Sequence, residues 1–267
     1  MKIIVAKGKN WFKNDFDKYY LISNYRSLFN KKILKKEIEE ILSIFKKYKV
    51  SKNSRILDLH GGFGRISLEL SKKGFSNIWV FDLSKYLINF GKKISSKNKL
   101  KIHYVCGNSL HLLKYFEKDF FDVVMVIANS FGYCGPQDDI KILYNIFNVL
   151  KKDGLFLLDV VLKENMPDIA SKYWFSTPDN LWFILRDGRV ISENLNYSLV
   201  EAKEYVFHKY RGLLKYNICN YYWYSEKYLK KLTKEIGFKF ITKIKNWLVQ
   251  DKTLRSLSLR NMLVFKK

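Results

Sequence analysis

Apolar and polar positions fall into two regimes along this chain. Between Arg55 and Val161, short apolar runs alternate with amphipathic stretches of helical period. After Leu162 the runs lengthen, fill with Tyr and Phe, and take on a strand-like alternation. Ahead of both, Ile33, Leu34, Ile38, Ile41, Leu42, Ile44 and Phe45 recur among lysines and glutamates, so residues 31–50 predict an amphipathic helix whose charges are a solvated face. Ile56 to Leu59 reads as a strand that stops at Gly61, Gly62 and Gly64. A helix over Arg65–Lys73 follows, closed by Gly74.

The pattern then repeats. Strands are expected over 78–82, 102–106, 121–128 and 155–161. A helix runs from Leu83-Ser84 to near Lys93, residues 95–101 form a loop, and a helix begins at Asp138-Asp139 and ends at Leu150. Residues 151–154 read as a turn. The unbroken apolar run 121–128 suits a parallel strand covered on both faces. Five strands alternating with helices give a doubly wound, Rossmann-like α/β sheet. Two last strands, Phe238–Ile244 and Ser258–Phe265, flank a helix capped by Ser225 and closed by Gly237, for seven in all.

The late segment predicts an antiparallel β insertion. Leu181–Arg186 and Arg189–Ser198, separated by Asp187-Gly188, read as a hairpin with a type I′ turn, and Glu201–Arg211 and Lys215–Trp223 as two more strands. Its expected place is over the C-terminal edge of the parallel sheet, where ligands bind. The domain reading is an N-terminal helical arm over 1–50, an α/β domain over 51–164 and 225–267, and the insertion over 165–224. The aromatic arm residues serve either as packing or as a lid; both readings stand.

Composition narrows the class. At 267 residues and 48% hydrophobic content the chain can bury a large core, yet no apolar run approaches the roughly 20 residues of a membrane span. The opening residues are too short and charged a stretch for a signal peptide. Three scattered cysteines without metal spacing suggest a reduced, cytoplasmic setting. The net charge of +24 points towards nucleic acid. Against that, only 8 of the 49 cationic residues are Arg, the residue that leads specific phosphate and base contacts. A lysine excess beside abundant Ile and Asn reads as compositional drift, and nucleic acid is the lesser expectation.

The chemistry sits in the glycine turn. Glycines let backbone approach a ligand, and the helix start behind them offers free N–H groups. Eighteen residues past Gly64, the second strand ends in Asp82, the position that takes ribose hydroxyls in nucleoside-binding βαβ units. A nicotinamide fingerprint would need G-x-G-x-x-G and a P-loop would need Gly-Lys-Ser/Thr; neither is present. Asp58 through Gly62-Phe63-Gly64-Arg65, Phe81-Asp82-Leu83-Ser84, Phe121-Asp122-Val123-Val124 and Leu150 through Gly154-Leu155-Phe156 together resemble the class I S-adenosylmethionine-dependent methyltransferases. Asn129-Ser130-Phe131-Gly132-Tyr133, with an opening Trp11…Phe16-Asp17…Tyr20-Leu21, is similar to a bacterial and archaeal small-molecule subgroup.

That resemblance implies S-adenosylmethionine as cofactor and a small-molecule methyl acceptor, at nitrogen or oxygen. It implies that Asp58 orients the loop, that Gly61, Gly62 and Gly64 allow close approach, and that Asp82 with Leu83 holds the ribose. Asn108 and Ser109 would read adenine, and Ala128 and Asn129 would line the methionine portion. Candidates at the reacting end are Tyr133, Asn129 and Tyr20. The sequence departs from the family at His60, where a loop glycine is usual, and at Asn108, where an acid is common. A lone loop histidine is more often packed or hydrogen-bonded than a base. Arg65 either touches the cofactor carboxylate or is solvated. His103, His111 and His208 lack ligand spacing, so no metal is expected. The alternatives are an RNA or protein methyltransferase using the basic surface, and a non-catalytic cofactor-binding scaffold.

Overall fold

The computed structural model describes residues 4–6, 12–168, 172–245, 247 and 259–267. The chain opens with β1 (Ile4–Ala6), three short helices α1 (Phe12–Asp15), α2 (Lys18–Ser23) and α3 (Tyr25–Leu28), and a long α4 (Lys31–Lys47). The Asn30 side chain accepts from the Lys32 and Ile33 N–H groups and so starts α4. Its buried face carries Ile33, Ile38, Ile41, Ile44 and Phe45, as the apolar spacing predicts.

The alternating region gives β2 (Ile56–Leu59), α5 (Arg65–Lys72), β3 (Ile78–Asp82), α6 (Lys85–Lys97), β4 (His103–Cys106), β5 (Phe121–Val126), α7 (Pro136–Val149) and β6 (Leu150–Val161). Then come β7 (Lys172–Ser176), β8 (Trp182–Glu193), β9 (Tyr197–His208), β10 (Gly212–Tyr224), α8 (Glu226–Ile236), β11 (Lys239–Ile244) and β12 (Arg260–Lys266). Seven strands form one sheet in the order β11-β12-β6-β5-β2-β3-β4. β6, β5, β2, β3 and β4 run parallel, whereas β12 is antiparallel to both neighbours. The chain runs outward from β2 to β4, then returns to the other side of β2 as β5. That reversal opens a crevice at the C-terminal ends of β2 and β5, where open α/β sheets bind ligands.

The second sheet has the order β1-β10-β9-β8-β7. It departs from expectation in two ways. Asp187-Gly188 is no turn: both residues sit inside β8, paired with Lys203 and Ala202 of β9. Neither takes the positive φ that a type I′ turn requires. The reversal lies at residues 194–196, where the Asn194 side chain accepts from the Asn196 and Tyr197 N–H groups. Second, the amino-terminal segment supplies a strand. β1 pairs in parallel with β10, so the arm is partly sheet. Two smaller corrections concern lysine-rich stretches. α6 continues to Lys97, and residues 151–154 lie within β6, with Asp153 at φ +61°. Trp11 and Ser258 lie outside the described residues.

A buried ionic cluster ties the arm to the sheet. Arg65 donates from both Nη atoms to Glu37, at 2.9 Å for Nη2 to Oε1. Arg260 reaches the same Glu37 oxygen at 3.3 Å and donates from Nε to Asp159 Oδ1 at 2.9 Å. Trp247 Nε1 and the Ala128 N–H complete the Asp159 carboxylate at 2.9 and 2.7 Å. Arg65 is therefore buried rather than solvated, and the two arginines balance the two acids. Burial alone would raise the Glu37 carboxyl, but Arg65 and Arg260 outweigh it and hold it below its usual range. Removing one partner leaves buried charge uncompensated. Glu37→Ala should cost about 3–5 kcal/mol of stability, read as a lower midpoint in urea unfolding.

Candidate active site

β2 ends in a left-handed turn at His60, and Gly62 and Gly64 also take positive φ. Gly61 is required by close approach: a Cβ there would stand 2.7 Å from the Asp58 carboxyl carbon. Asp58 lies beneath the turn, buried, and accepts from Ser67 Oγ at 2.6 Å. A Cβ on Gly64 would meet Val80 at 2.8 Å, so this glycine lets α5 close against β3.

Asp82 closes the turn from the neighbouring strand. Its Oδ2 accepts from the Gly62 N–H at 2.8 Å, and its Oδ1 from the Ser84 N–H at 2.8 Å. Burial raises its pKa, while those bonds oppose the rise. His60 spans the crevice. Nδ1 is 2.8 Å from the Ser130 carbonyl oxygen, which only accepts, so Nδ1 carries the proton. Nε2, 2.8 Å from Ser109 Oγ, then accepts the Ser109 hydroxyl proton. Burial holds the imidazole below its ordinary pKa, so it is neutral near pH 7 and bonded at both nitrogens. One side chain thereby joins the loops after β2, β4 and β5.

A cavity lies against these groups. His60, Gly62, Asp82, Leu83, Asn108 and Ser109 line it. So do the aromatic residues Phe12, Phe16, Tyr20 and Tyr133, together with Gly132, Cys134 and Asp139. Phe16 packs on Tyr20 and Tyr133 with ring centroids 4.8 and 6.1 Å apart. Ser84 Oγ donates to the Phe16 carbonyl at 2.5 Å and pins the arm to the loop that carries Asp82. Burial holds the Tyr20 and Tyr133 phenols well above their usual pKa, and nearby carboxylates add to the rise. Both are therefore protonated near neutral pH.

The remaining sequence candidates fall away from the cavity wall. Asp58, Gly61 and Gly64 shape the turn from below. Ala128 and Asn129 both have positive φ and form the turn after β5. The Ala128 N–H is engaged by Asp159, and the Asn129 amide oxygen accepts from the Val161 N–H at 2.8 Å. Asn108 lines the cavity, but its oxygen also accepts from the Leu110 N–H at 3.0 Å and starts a 3-10 turn at Ser109–Lys114.

Sequence reasoning missed Asp139. It reads as an acid at a helix start, yet its side chain faces Tyr224 of the second sheet. Tyr224 Oη donates to Asp139 Oδ2 at 2.7 Å. Gly132 explains its place in the Asn-Ser-Phe-Gly-Tyr block. It has φ +93°, a Cβ would strike the Tyr222 carbonyl oxygen at 2.2 Å, and its own carbonyl accepts from the Tyr222 N–H at 2.8 Å. Among the described residues no group of three or more His, Cys, Asp or Glu could hold a metal ion, and no helix is long and apolar enough to cross a membrane.

Residues 56–154 match a family described as a methyltransferase domain. The chain is similar to the putative methyltransferase YqeM of Bacillus subtilis, 32% identical over 127 residues that make up 47% of this chain and 49% of that protein. It thus spans about half the length of the curated relatives it matches. An S-adenosylmethionine-dependent methyltransferase from Clostridium acetobutylicum superposes with a TM-score of 0.72 at 18% identity, covering 91% of this chain and 95% of that one. The fold is the Rossmann-like methyltransferase fold. An amino pentose methyltransferase from Micromonospora echinaspora, with S-adenosylmethionine bound, shares it with a TM-score of 0.68 at 13% identity, over 93% of this chain and 96% of that one. The likenesses support S-adenosylmethionine as the cofactor.

One group in the cavity wall titrates near neutrality. Burial pushes the Asp139 carboxyl up from 3.8 to about 7, against the opposing bond from Tyr224. A carboxyl raised on folding stabilises the chain below its unfolded pKa, and that contribution is lost as pH rises through the folded pKa. Stability should therefore fall by about 1–4 kcal/mol between pH 4 and pH 7 through this group. Asp139→Asn should flatten that fall in urea titrations run across the same range.

Proposed function

We infer that this protein is an S-adenosylmethionine-dependent methyltransferase acting on nitrogen or oxygen of a small molecule. The observation that carries the reading is the mixed lining of one cavity. A strand-end carboxylate and a glycine turn share it with aromatic residues from the arm and the loop after β5. The residues present fit the cofactor's nucleoside. A carboxylate has about four acceptor sites, and Asp82 uses two of them on Gly62 and Ser84, which leaves capacity for ribose hydroxyls. Neutral His60 adds no cation to repel a sulfonium.

S-adenosylmethionine supplies an activated methyl group, so the protein's work is alignment and removal of water. Phe12, Phe16, Tyr20 and Tyr133 dry the acceptor side. Protonated Tyr20 and Tyr133 serve as positioning groups and not as bases. An amine that arrives as ammonium must lose a proton before it attacks. Asp139 is the lining carboxyl able to hold such a proton near neutral pH. The aromatic lining from the arm and the loop after β5 favours a small acceptor over a polymer held in an open basic groove.

Removing Asp82 should cost the hydrogen bonds it makes to ribose, worth roughly 1.5–3 kcal/mol each to a charged acceptor. Asp82→Ala should thus lower S-adenosylmethionine affinity by about 10- to 100-fold or more in calorimetry, with circular dichroism unchanged. Equal affinity in the variant and the parent chain would remove the site assignment. Mass spectrometry of ligands that co-purify with the chain reads the acceptor directly.

A further inference from the structure

The cavity is acidic in a chain that is strongly basic. The net charge is +24. Yet among the described residues that line the cavity none is Lys or Arg, and two, Asp82 and Asp139, are acids. The lining histidine, His60, is neutral and bonded at both ring nitrogens. Arg65 and Arg186, whose charges reach Tyr20, are paired with Glu37 at 2.9 Å and Glu204 at 2.6 Å. A cleft lined by one sign of charge draws in ligands of the other sign. The rings of Phe12, Phe16, Tyr20 and Tyr133 add to this, because the face of an aromatic ring attracts a cation within about 6 Å.

The two acids stand apart. Asp82 ends β3 and holds the glycine turn, whereas the loop that leads to Asp139 leaves β5, two strands away in the sheet. At about 4.8 Å per strand that separates the two strand ends by about 10 Å. Asp139 Oδ2 accepts from Tyr224 Oη at 2.7 Å, and Oδ1 from the Cys134 N–H at 3.4 Å. A carboxylate has about four acceptor sites, so Asp139 can take a further donor. The titratable groups beside it are Asp138 on its own helix and Tyr222 and Tyr224 on β10, and none of them is a cation. We propose that the methyl acceptor is an aliphatic amine that enters as its ammonium, held by Asp139 and by the faces of the cavity's rings. This rests on the methyltransferase reading above and narrows its acceptor atom to nitrogen.

The ammonium gives one proton to the Asp139 carboxylate. The freed nitrogen pair then forms the C–N bond to the methyl carbon while the C–S bond breaks and leaves its pair on sulfur. The positive charge passes from sulfur to nitrogen, the product leaves as a methylammonium, and the Asp139 proton passes to water. Proton affinity separates an amine from a hydroxyl here. Asp139 titrates at about 7. Proton transfer to such a group is uphill by roughly 10³ from an amine of pKa about 10.4, but by roughly 10⁹ from a hydroxyl as weakly acidic as water, at about 15.7. An acceptor that carries a carboxylate or phosphate would meet two acids and, among the described lining residues, no Lys or Arg.

Calorimetry on the full chain saturated with S-adenosylhomocysteine reads the proposal. The probes are benzylamine, benzyl alcohol and benzoate, and the matching cyclohexylmethyl amine, alcohol and carboxylate, which share a frame and differ in charge. Near pH 8 the amines should bind about tenfold more tightly than the alcohols, with the carboxylates weakest. Asp139→Asn keeps an acceptor for Tyr224 and should bring each amine to within about twofold of its alcohol, with S-adenosylhomocysteine affinity retained. Phe12→Leu leaves Asp139 in place and should weaken the amines more than the alcohols, by roughly two- to fivefold. A parent chain in which no amine outbinds its alcohol and its carboxylate overturns the proposal and leaves the methyltransferase reading standing. A tenfold loss of S-adenosylhomocysteine affinity in Asp139→Asn also overturns it and gives that carboxylate to the cofactor. A parent chain that does not bind S-adenosylhomocysteine removes both the proposal and the reading beneath it.

Discussion

The hydrogen bond from the Gly62 N–H to Asp82 Oδ2 is the contact on which the rest of the site depends. It joins the glycine turn after β2 to the tip of β3, and so fixes where a backbone corner and a carboxylate meet. The turn must be left-handed to aim that N–H sideways, which is why glycine stands at 62. Asp58 supports it from below, and His60 ties it to Ser109 and Ser130. Asp58 lies in β2, and the other groups come from the end of β3 and the loops after β2, β4 and β5, at the same edge of the sheet. The reversal of strand order beside β2 is what brings those loops together.

The second sheet backs two of the residues that line the cavity, Gly132 and Asp139. Its β10 runs beside the loop after β5 through the Gly132–Tyr222 backbone pair, and Tyr224 reaches Asp139 from the same strand. On the arm side, the Lys215 ammonium is wholly buried between Asp17 Oδ1 at 2.9 Å and Asp15 Oδ1 at 3.1 Å. Asp15 itself is pushed up to about 6 by burial, with Lys215 pulling the other way. The arm, the insertion and the sheet therefore meet through buried charge as well as rings. Such contacts fix one arrangement because a misplaced partner leaves a charge unpaired.

Much of this was legible in residue order. The apolar runs placed β2 to β6 and the seven-stranded sheet, because parallel strands read as unbroken hydrophobic stretches. The glycine turn and Asp82 were legible because their chemistry is local. What sequence hid was contact at long range. Asp187-Gly188 has the composition of a hairpin turn, but the two flanking strands carry the pair inside one long strand. β1 is too short to show a period, and its pairing with β10 lies some 210 residues away. Asp139 looked like a helix-start acid because Tyr224, which turns it into part of the cavity wall, is on another sheet. Arg65 looked solvated because Glu37 sits on a separate helix. Asn129 and Ala128 were placed on the right turn, but their polar groups serve that turn's neighbours β6 and Asp159.

The account rests on an adenosine gripped between the glycine turn and the end of β3. A crystal structure of the chain soaked with S-adenosylhomocysteine tests it most directly. The account predicts both ribose hydroxyls within hydrogen-bond reach of the Asp82 carboxylate and the sulfur turned towards Tyr20 and Tyr133. Density for the ligand at another edge of the sheet, or a ribose that leaves Asp82 untouched, would contradict it.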